Sequence, residues 1–418
     1  MAGPIEGLGA DEALARLFLT PEGVADPAPL YRHLRSTAPV HRSATGAVFV
    51  TRYEDCARVL HDARFGKNPE GAEPGLVPEA DDAARRFREE QRERLRAEHR
   101  AASMLFLDPP AHTRQRRLVA RTFTPRRVER LRAGVAASAR TMVGELAGTG
   151  GGDVLEVVGF PLPVAVIGTL VGVPGSDRPG FRALITAMAA GVEPGASLEE
   201  LRRSEEASEE VERYFSELLA LRRRQPADDL LSDLLAVEES GEALRDDEVV
   251  AVATLLFAAG FETTTNLIGN ATVALLSHPD QWRRVREEPA IVARAVEELL
   301  RWDSPVQVDV RRALEAAEVA GERVAPGQAV VTLLGAANRD PARFSDPDRL
   351  DVGRDEGPPL SFAAGIHHCL GAPLARLEGQ EYLRAAAEVL PDMRLVGSPP
   401  RRRRLALSGY SAVPVEVG

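Results

Sequence analysis

The stretch Leu360-Ser361-Phe362-Ala363-Ala364-Gly365-Ile366-His367-His368-Cys369-Leu370-Gly371-Ala372-Pro373-Leu374-Ala375-Arg376 sets one cysteine in a loop of small residues. A helical pattern, Ala372 to Val389, begins just after it. A thiol near a helix N-terminus is stabilised as the thiolate by the dipole and the free amides. The thiolate is the form that ligates a metal, so this cysteine can hold an iron from one side. Gly365 and Gly371 let the backbone turn tightly and approach a flat ligand closely. A buried, inert thiol in an ordinary turn is the alternative the loop alone leaves open.

Three other places carry chemistry. Asp246 to Leu276 is the longest apolar helical pattern, and Ala259-Gly260-Phe261-Glu262-Thr263-Thr264 interrupts it with a carboxylate and hydroxyls. Buried polar groups cost free energy unless paired, so a polar cluster there needs a purpose. The bland alternative is a threonine bonding back to a carbonyl four residues earlier, with Glu262 at the surface. Asp108-Pro109-Pro110 is a helix start, which puts His112 and Arg116 on one helical face. Glu298 and Arg301 are three apart on a further helix, an ordinary surface spacing by itself.

Phe362, Gly365, His367, Cys369 and Gly371, in the spacing Phe-x-x-Gly-x-His-x-Cys-x-Gly, resemble the haem-binding loop of the cytochrome P-450 monooxygenases. The resemblance runs from about Asp26 to the end, the other motifs following in the expected order. It implies a mainly α fold with a minor β-sheet portion (α+β). Haem b, iron protoporphyrin IX, would lie between a long central helix and the cysteine loop, with Cys369 as the metal ligand. His112, Arg116 and Arg311 would hold the propionates, and Ala259 and Gly260 would leave room for dioxygen. Thr263 and Glu262 would form the catalytic acid–alcohol pair. Glu298, Arg301 and Arg354 would lock the meander before the loop. Leu255, Ala258, Ala259, Gln307, Asp309 and Tyr410 are the substrate-pocket candidates.

No Gly/Ser-rich or Pro-rich linker divides the 418 residues. One domain is expected over 26–418, after an N-terminal tail, 1–25. Within it, 66–103 reads as a variable distal insertion, with a charged helix from Glu79 to Ala102 whose apolar stripe is Ala84, Phe87, Leu95 and Ala102. Asp81–Arg85, Asp82–Arg86 and Glu90–Arg94 are its expected ion pairs. That helix either contributes to substrate choice or is a solvated surface helix. Leu405 to Val417 reads as a terminal hairpin, and Arg401 to Arg404 as a solvated turn.

Net charge is −11, which argues against nucleic acid as a partner. Two cysteines cannot build a disulfide framework, and Cys56 reads as structural. No signal peptide and no 18-residue apolar run are recognised, so a cytoplasmic protein without a membrane anchor is expected. The resemblance implies that one oxygen atom of O2 enters a small organic substrate, by hydroxylation or epoxidation, in bacterial secondary metabolism. Electrons would come from a ferredoxin or flavodoxin with its NAD(P)H-dependent reductase, because the chain shows no Gly-x-Gly-x-x-Gly unit and no iron–sulfur cysteine set. Oxidative coupling or peroxide-driven oxidation is one alternative. A non-catalytic haem sensor is another, and the Glu262–Thr263 pair argues against it.

Overall fold

The computed structural model describes residues 5, 7–67, 82–97, 103–193, 195–239 and 241–418. Its first helices are α1 Ala10–Leu19, α2 Pro21–Ala25, α3 Ala28–Thr37, α4 Tyr53–His61, α5 Asp82–Ala97, α6 Ala111–Thr122, α7 Pro125–Gly148 and α8 Pro161–Val171. They continue as α9 Phe181–Gly191, α10 Leu198–Arg224, α11 Leu230–Ala236, α12 Asp246–Leu276, α13 Pro279–Glu287, α14 Val292–Trp302, α15 Leu334–Ala337 and α16 Ala372–Val389. The strands are β1 Val40–Arg42, β2 Val48–Val50, β3 Phe65–Gly66, β4 Gly151–Asp153, β5 Glu238–Glu239, β6 Glu242–Ala243, β7 Val308–Ala313, β8 Ala317–Val319, β9 Glu322–Val324, β10 Ala329–Leu333, β11 Arg394–Leu395 and β12 Pro414–Glu416.

The chain packs as two compact units, both discontinuous in sequence. The first takes Met1–Pro78, Gly134–Gly159 and Thr263–Gly418, the second Glu79–Ala133 and Phe160–Glu262. A single domain starting at residue 26 is therefore not how the contacts divide. Nor is 1–25 a tail from Ala10 onward. Leu14 and Leu17, three apart on α1, and Val24 on α2 are buried in the first unit's core.

That core is built on a five-stranded sheet in the order β1-β2-β10-β7-β3, in which only β2 and β10 run parallel. The period-two alternation of strands separates its faces. Phe49 and Val331 pack with Leu14, Leu17, Tyr31 and Leu34 on one side. Val48, Val50 and Val330 pack with Val59, Leu60, Leu334 and Leu360 on the other. Cys56 belongs to this second face as a structural thiol, donating to the Val50 carbonyl at 3.3 Å.

A smaller sheet has the order β11-β12-β4 and corrects one expectation. Gly151–Asp153 pairs with β12, and a side chain at Gly151 would overlap the Val415 carbonyl. The terminal hairpin is not formed. Only Pro414–Glu416 is a strand, and the chain before it makes isolated bridges, Val306 with Leu407 and Arg401 with Tyr410.

In the second unit α9 and α10 pack on α12 through an aromatic cluster. Phe257 lies 4.6 Å from Phe181 and 5.7 Å from Phe215, centroid to centroid. The chain breaks between α9 and α10, where Ser197 and Glu200 form a capping box. Ala84 of α5 is buried with Ala196 and Leu201, and Phe87 packs against them. Of the expected α5 ion pairs only Asp82–Arg86 lies wholly among the described residues, and there Asp82 pairs with Arg85 instead, at 2.9 Å; Arg85 also lies 3.8 Å from Glu89. Asp81 and Ala102, with the side chains of Arg94 and Leu95, lie outside the described residues. By length and composition α12 could cross a membrane, unlike the expectation that no such run exists; 61% of its apolar window is buried inside the protein.

Candidate active site

The cysteine loop is fixed from several sides within the first unit. Asn338, capping α15, accepts from the Leu360 amide at 2.7 Å and donates to Ser361 Oγ at 3.0 Å. Ser361 Oγ in turn donates to the Leu300 carbonyl of α14 at 2.8 Å. Cys369 donates its amide to the Phe362 carbonyl at 3.0 Å, closing the loop on itself. Arg376 stacks over the Phe362 ring at 4.6 Å and pairs with Glu297. Within this frame His367 is buried, whereas Cys369 is exposed just ahead of α16.

The two loop glycines do different things. Gly365 has φ +70°, and a Cβ there would overlap the Leu60 carbonyl of α4. Its bareness thus serves backbone packing, a requirement the reading from sequence did not contain. At Gly371 the nearest atom to an added Cβ is Cys369 Sγ at 3.8 Å, so this position does leave space beside the thiol.

Glu298, Arg301 and Arg354 come together. Arg301 donates to both Glu298 oxygens, at 2.6 and 2.9 Å, and Arg354 Nε donates to Glu298 Oε2 at 3.1 Å. Arg301 also donates to the carbonyls of Asn338 and Pro347, and Arg354 to those of Ser345 and Asp346. The Glu298 and Arg301 side chains are 0 and 1% exposed. What reads in sequence as a surface pair is a buried clasp on the chain leading to the loop.

Arg311 is likewise buried, at 1% side-chain exposure, and donates through Nε to Asp309 Oδ1 at 2.8 Å. Its Nη2 has no hydrogen-bond partner among the described residues. Asp309 is a pocket candidate that the structure reassigns: Lys67 takes its other oxygen at 2.7 Å. Burial pushes the Asp309 carboxyl up, but Lys67 and Arg311 outweigh it and hold the group below the usual carboxylate range.

Gln307 also leaves the pocket set. It is 3% exposed, its carbonyl oxygen accepts from Tyr31 Oη at 2.9 Å and its amide donates to the Ser304 carbonyl at 2.7 Å. Both ends are spent on the core. Tyr410 is drawn to Arg401, which donates to its hydroxyl at 3.3 Å and lies over its ring. Arg401 itself grips Asp303 with both Nη atoms, at 2.8 and 2.5 Å, so it is a buried tie rather than part of a solvated turn.

The second unit carries His112 and Arg116 on α6, which starts where Asp108-Pro109-Pro110 directs it. His112 is buried and Arg116 half-buried. Their neighbours Arg114 and Gln115 bind Glu248 at the start of α12, a buried carboxylate that sequence reasoning passed over. On α12 Glu262 is 2% exposed, which excludes the surface alternative. Thr263, which opens the last segment of the first unit, is half-buried, as are Leu255 and Ala258, and Ala259 is exposed. Gly260 faces Ile167 of α8, 3.4 Å from where a Cβ would stand, so packing as well as open space restricts this position. Lys67 is the other residue missed. Its partner lies 242 positions away, a signal that no local window contains.

Comparison with known proteins agrees with this frame. The cytochrome P450 family profile matches residues 197–385. Cytochrome P450 107B1 of Saccharopolyspora erythraea is 38% identical over 91% of this chain and 92% of its own length. Cytochrome P450 monooxygenase PikC of Streptomyces venezuelae is 39% identical over 90% and 86%. The ligand-free crystal structure of CYP164A2 from Mycobacterium smegmatis superposes with a TM-score of 0.87 at 35% identity, covering 97% of this chain and 100% of that one. Mainly helical, with small sheets and a cysteine loop clasped by arginines, the chain has the architecture of a haem-thiolate oxidoreductase. It belongs to the cytochrome P450 family, and its cofactor is haem b.

Proposed function

We propose that this enzyme is a monooxygenase that inserts one atom of dioxygen into an organic substrate, the other leaving as water. Two electrons would be delivered by a separate ferredoxin- or flavodoxin-type protein. The observation that carries the reading is Cys369, an exposed thiol held by a tightly bonded loop just before the N-terminus of an 18-residue helix. The amides and dipole there favour the anionic sulfur, and Gly371 keeps the adjoining space open.

The residues fit the cofactor on a second count. A buried guanidinium N–H left unpaired is costly, and Arg311 Nη2 has no partner among the described residues. A haem carboxylate would supply such an acceptor, and His112 and Arg116 would be the further donors to the propionates in this reading. Haem b, when bound, supplies the redox chemistry with dioxygen. The chain's own work is then to hold protons and substrate. Glu262 offers a buried carboxyl, and Thr263, one residue on and about 100° around the helix, offers a hydroxyl. Leu255, Ala259 and Thr263 recur every four residues and so share a face of α12. With Ala258 they present small or apolar side chains suited to an organic substrate.

The test is the spectrum of the reduced, carbon-monoxide-treated protein. A strongly red-shifted Soret band, lost in Cys369→Ala, is expected. An imidazole-type band, or a red-shifted band surviving in Cys369→Ala, would overturn the assignment.

A further inference from the structure

Among the 52 Lys and Arg residues of the chain, Lys67 is the sole lysine. It directly follows β3, which pairs with β7 so that Phe65 faces Ala313 and Gly66 faces Arg312. Carried one step further, that register sets Lys67 across from Arg311. Alternation along β7 puts Asp309 on the same face as Arg311. The carboxylate bridges the two cations, Oδ2 accepting from Lys67 Nζ at 2.7 Å and Oδ1 from Arg311 Nε at 2.8 Å. The three side chains are 12, 11 and 1% exposed, so solvent screens them little.

Asp309 by itself would neutralise Arg311, and its charge would repel any further anion. With Lys67 the three groups together carry one net positive charge. We propose that Lys67 is a positioning residue that keeps the buried Asp309–Arg311 pair net cationic, so that Arg311 Nη2 can hold a haem carboxylate. The proposal rests on reading Arg311 as a propionate ligand. A compact ammonium suits the place. A guanidinium fork there would compete with Arg311 for the same two carboxylate oxygens.

The experiment measures haem release from the holoprotein to excess apomyoglobin, together with the thermal melt of each apoprotein. Lys67→Met should release haem roughly ten- to thirtyfold faster, the effect of losing one poorly screened charge from the cluster. The double variant Lys67→Met/Asp309→Asn restores the net charge to that of the wild type, and its release should return to within about threefold of the wild-type rate. Release from Lys67→Met at the wild-type rate overturns the proposal, as does a double variant as leaky as Lys67→Met. Lys67→Gln repeats the test if the methionine protein does not fold. Arg311→Ala separates the two readings. If it keeps haem like the wild type, the propionate assignment falls, and the role of Lys67 with it. If it loses haem while Lys67→Met does not, only the role of Lys67 falls.

Discussion

Ala363 carries φ 53° and ψ −160°, a combination that glycine adopts freely and a residue with a Cβ does not. The flanking bonds from Asn338 to Leu360 and Ser361, and from Cys369 to Phe362, hold it there. Such strain costs about 1–3 kcal/mol, against about 0.5–1 kcal/mol for the added freedom of a glycine in the unfolded chain. Ala363→Gly should therefore stabilise the protein by about 1 kcal/mol, read as a higher denaturant midpoint with an unchanged carbonyl spectrum. A lower midpoint would mean that the loop is relaxed with alanine. At Thr263 the change expected is chemical rather than structural. Thr263→Ala should bind haem and substrate, and consume reductant near the wild-type rate, but release hydrogen peroxide in place of most product. Positioned proton transfer of this kind contributes ~10²–10⁴-fold. A product-to-reductant ratio equal to wild type would move the proton-handling role elsewhere.

Elements are tied here by buried ions more than by strand pairing. α14 offers Glu298 to Arg301 one turn on and to Arg354 from the meander, and all three keep little exposure. Deleting one member of such a set leaves a buried charge uncompensated, at a cost of about 3–5 kcal/mol. Glu298→Ala and Arg354→Ala should each lower soluble yield and haem content while turnover per haem stays near wild type. Full haem occupancy with lost turnover would assign the triad a catalytic part instead. α5 is held more lightly. Its Ala84 and Phe87 meet Ala196 and Leu201, and Arg88 donates to the Glu193 carbonyl at 3.1 Å.

At the scale of the whole molecule, acid stability carries the mark of one group. Glu378 of α16 is 2% exposed, its Oε2 has no hydrogen-bond partner among the described residues, and burial pushes its carboxyl well above the usual range. The folded protein keeps that proton when the unfolded chain, titrating near ~4.3, has released it. The unfolded state then binds fewer protons, so stability falls as pH rises above ~4.3, by up to about 1.4 kcal/mol per pH unit until the folded group ionises. Glu378→Gln removes this contribution. Urea midpoints measured between pH 5 and 8 should fall less steeply in the variant. An unchanged slope would show that Glu378 is ionised in the fold.

Of the longest helices, two could be read from the amino-acid sequence alone, the apolar α12 and the α16 that follows the cysteine loop, whereas α7 and α10 were not. Asp246–Leu276 and Ala372–Val389 end where their periodicity and flanking residues say they should, because helix signals repeat every three or four residues and lie within a short window. The cysteine loop and the order of motifs were legible for the same reason. Which polar groups face one another was not. Gln307 reads as a pocket residue until Tyr31 is found against it, Asp309 until Lys67 arrives, and Arg401 as a solvated arginine until Asp303 takes it. The N-terminal helices read as a tail because nothing near them in sequence shows the sheet face that buries Leu14 and Leu17. Partners tens to hundreds of residues apart meet only when the core closes around them, and only that closure decides which charges are left dry enough to need one another.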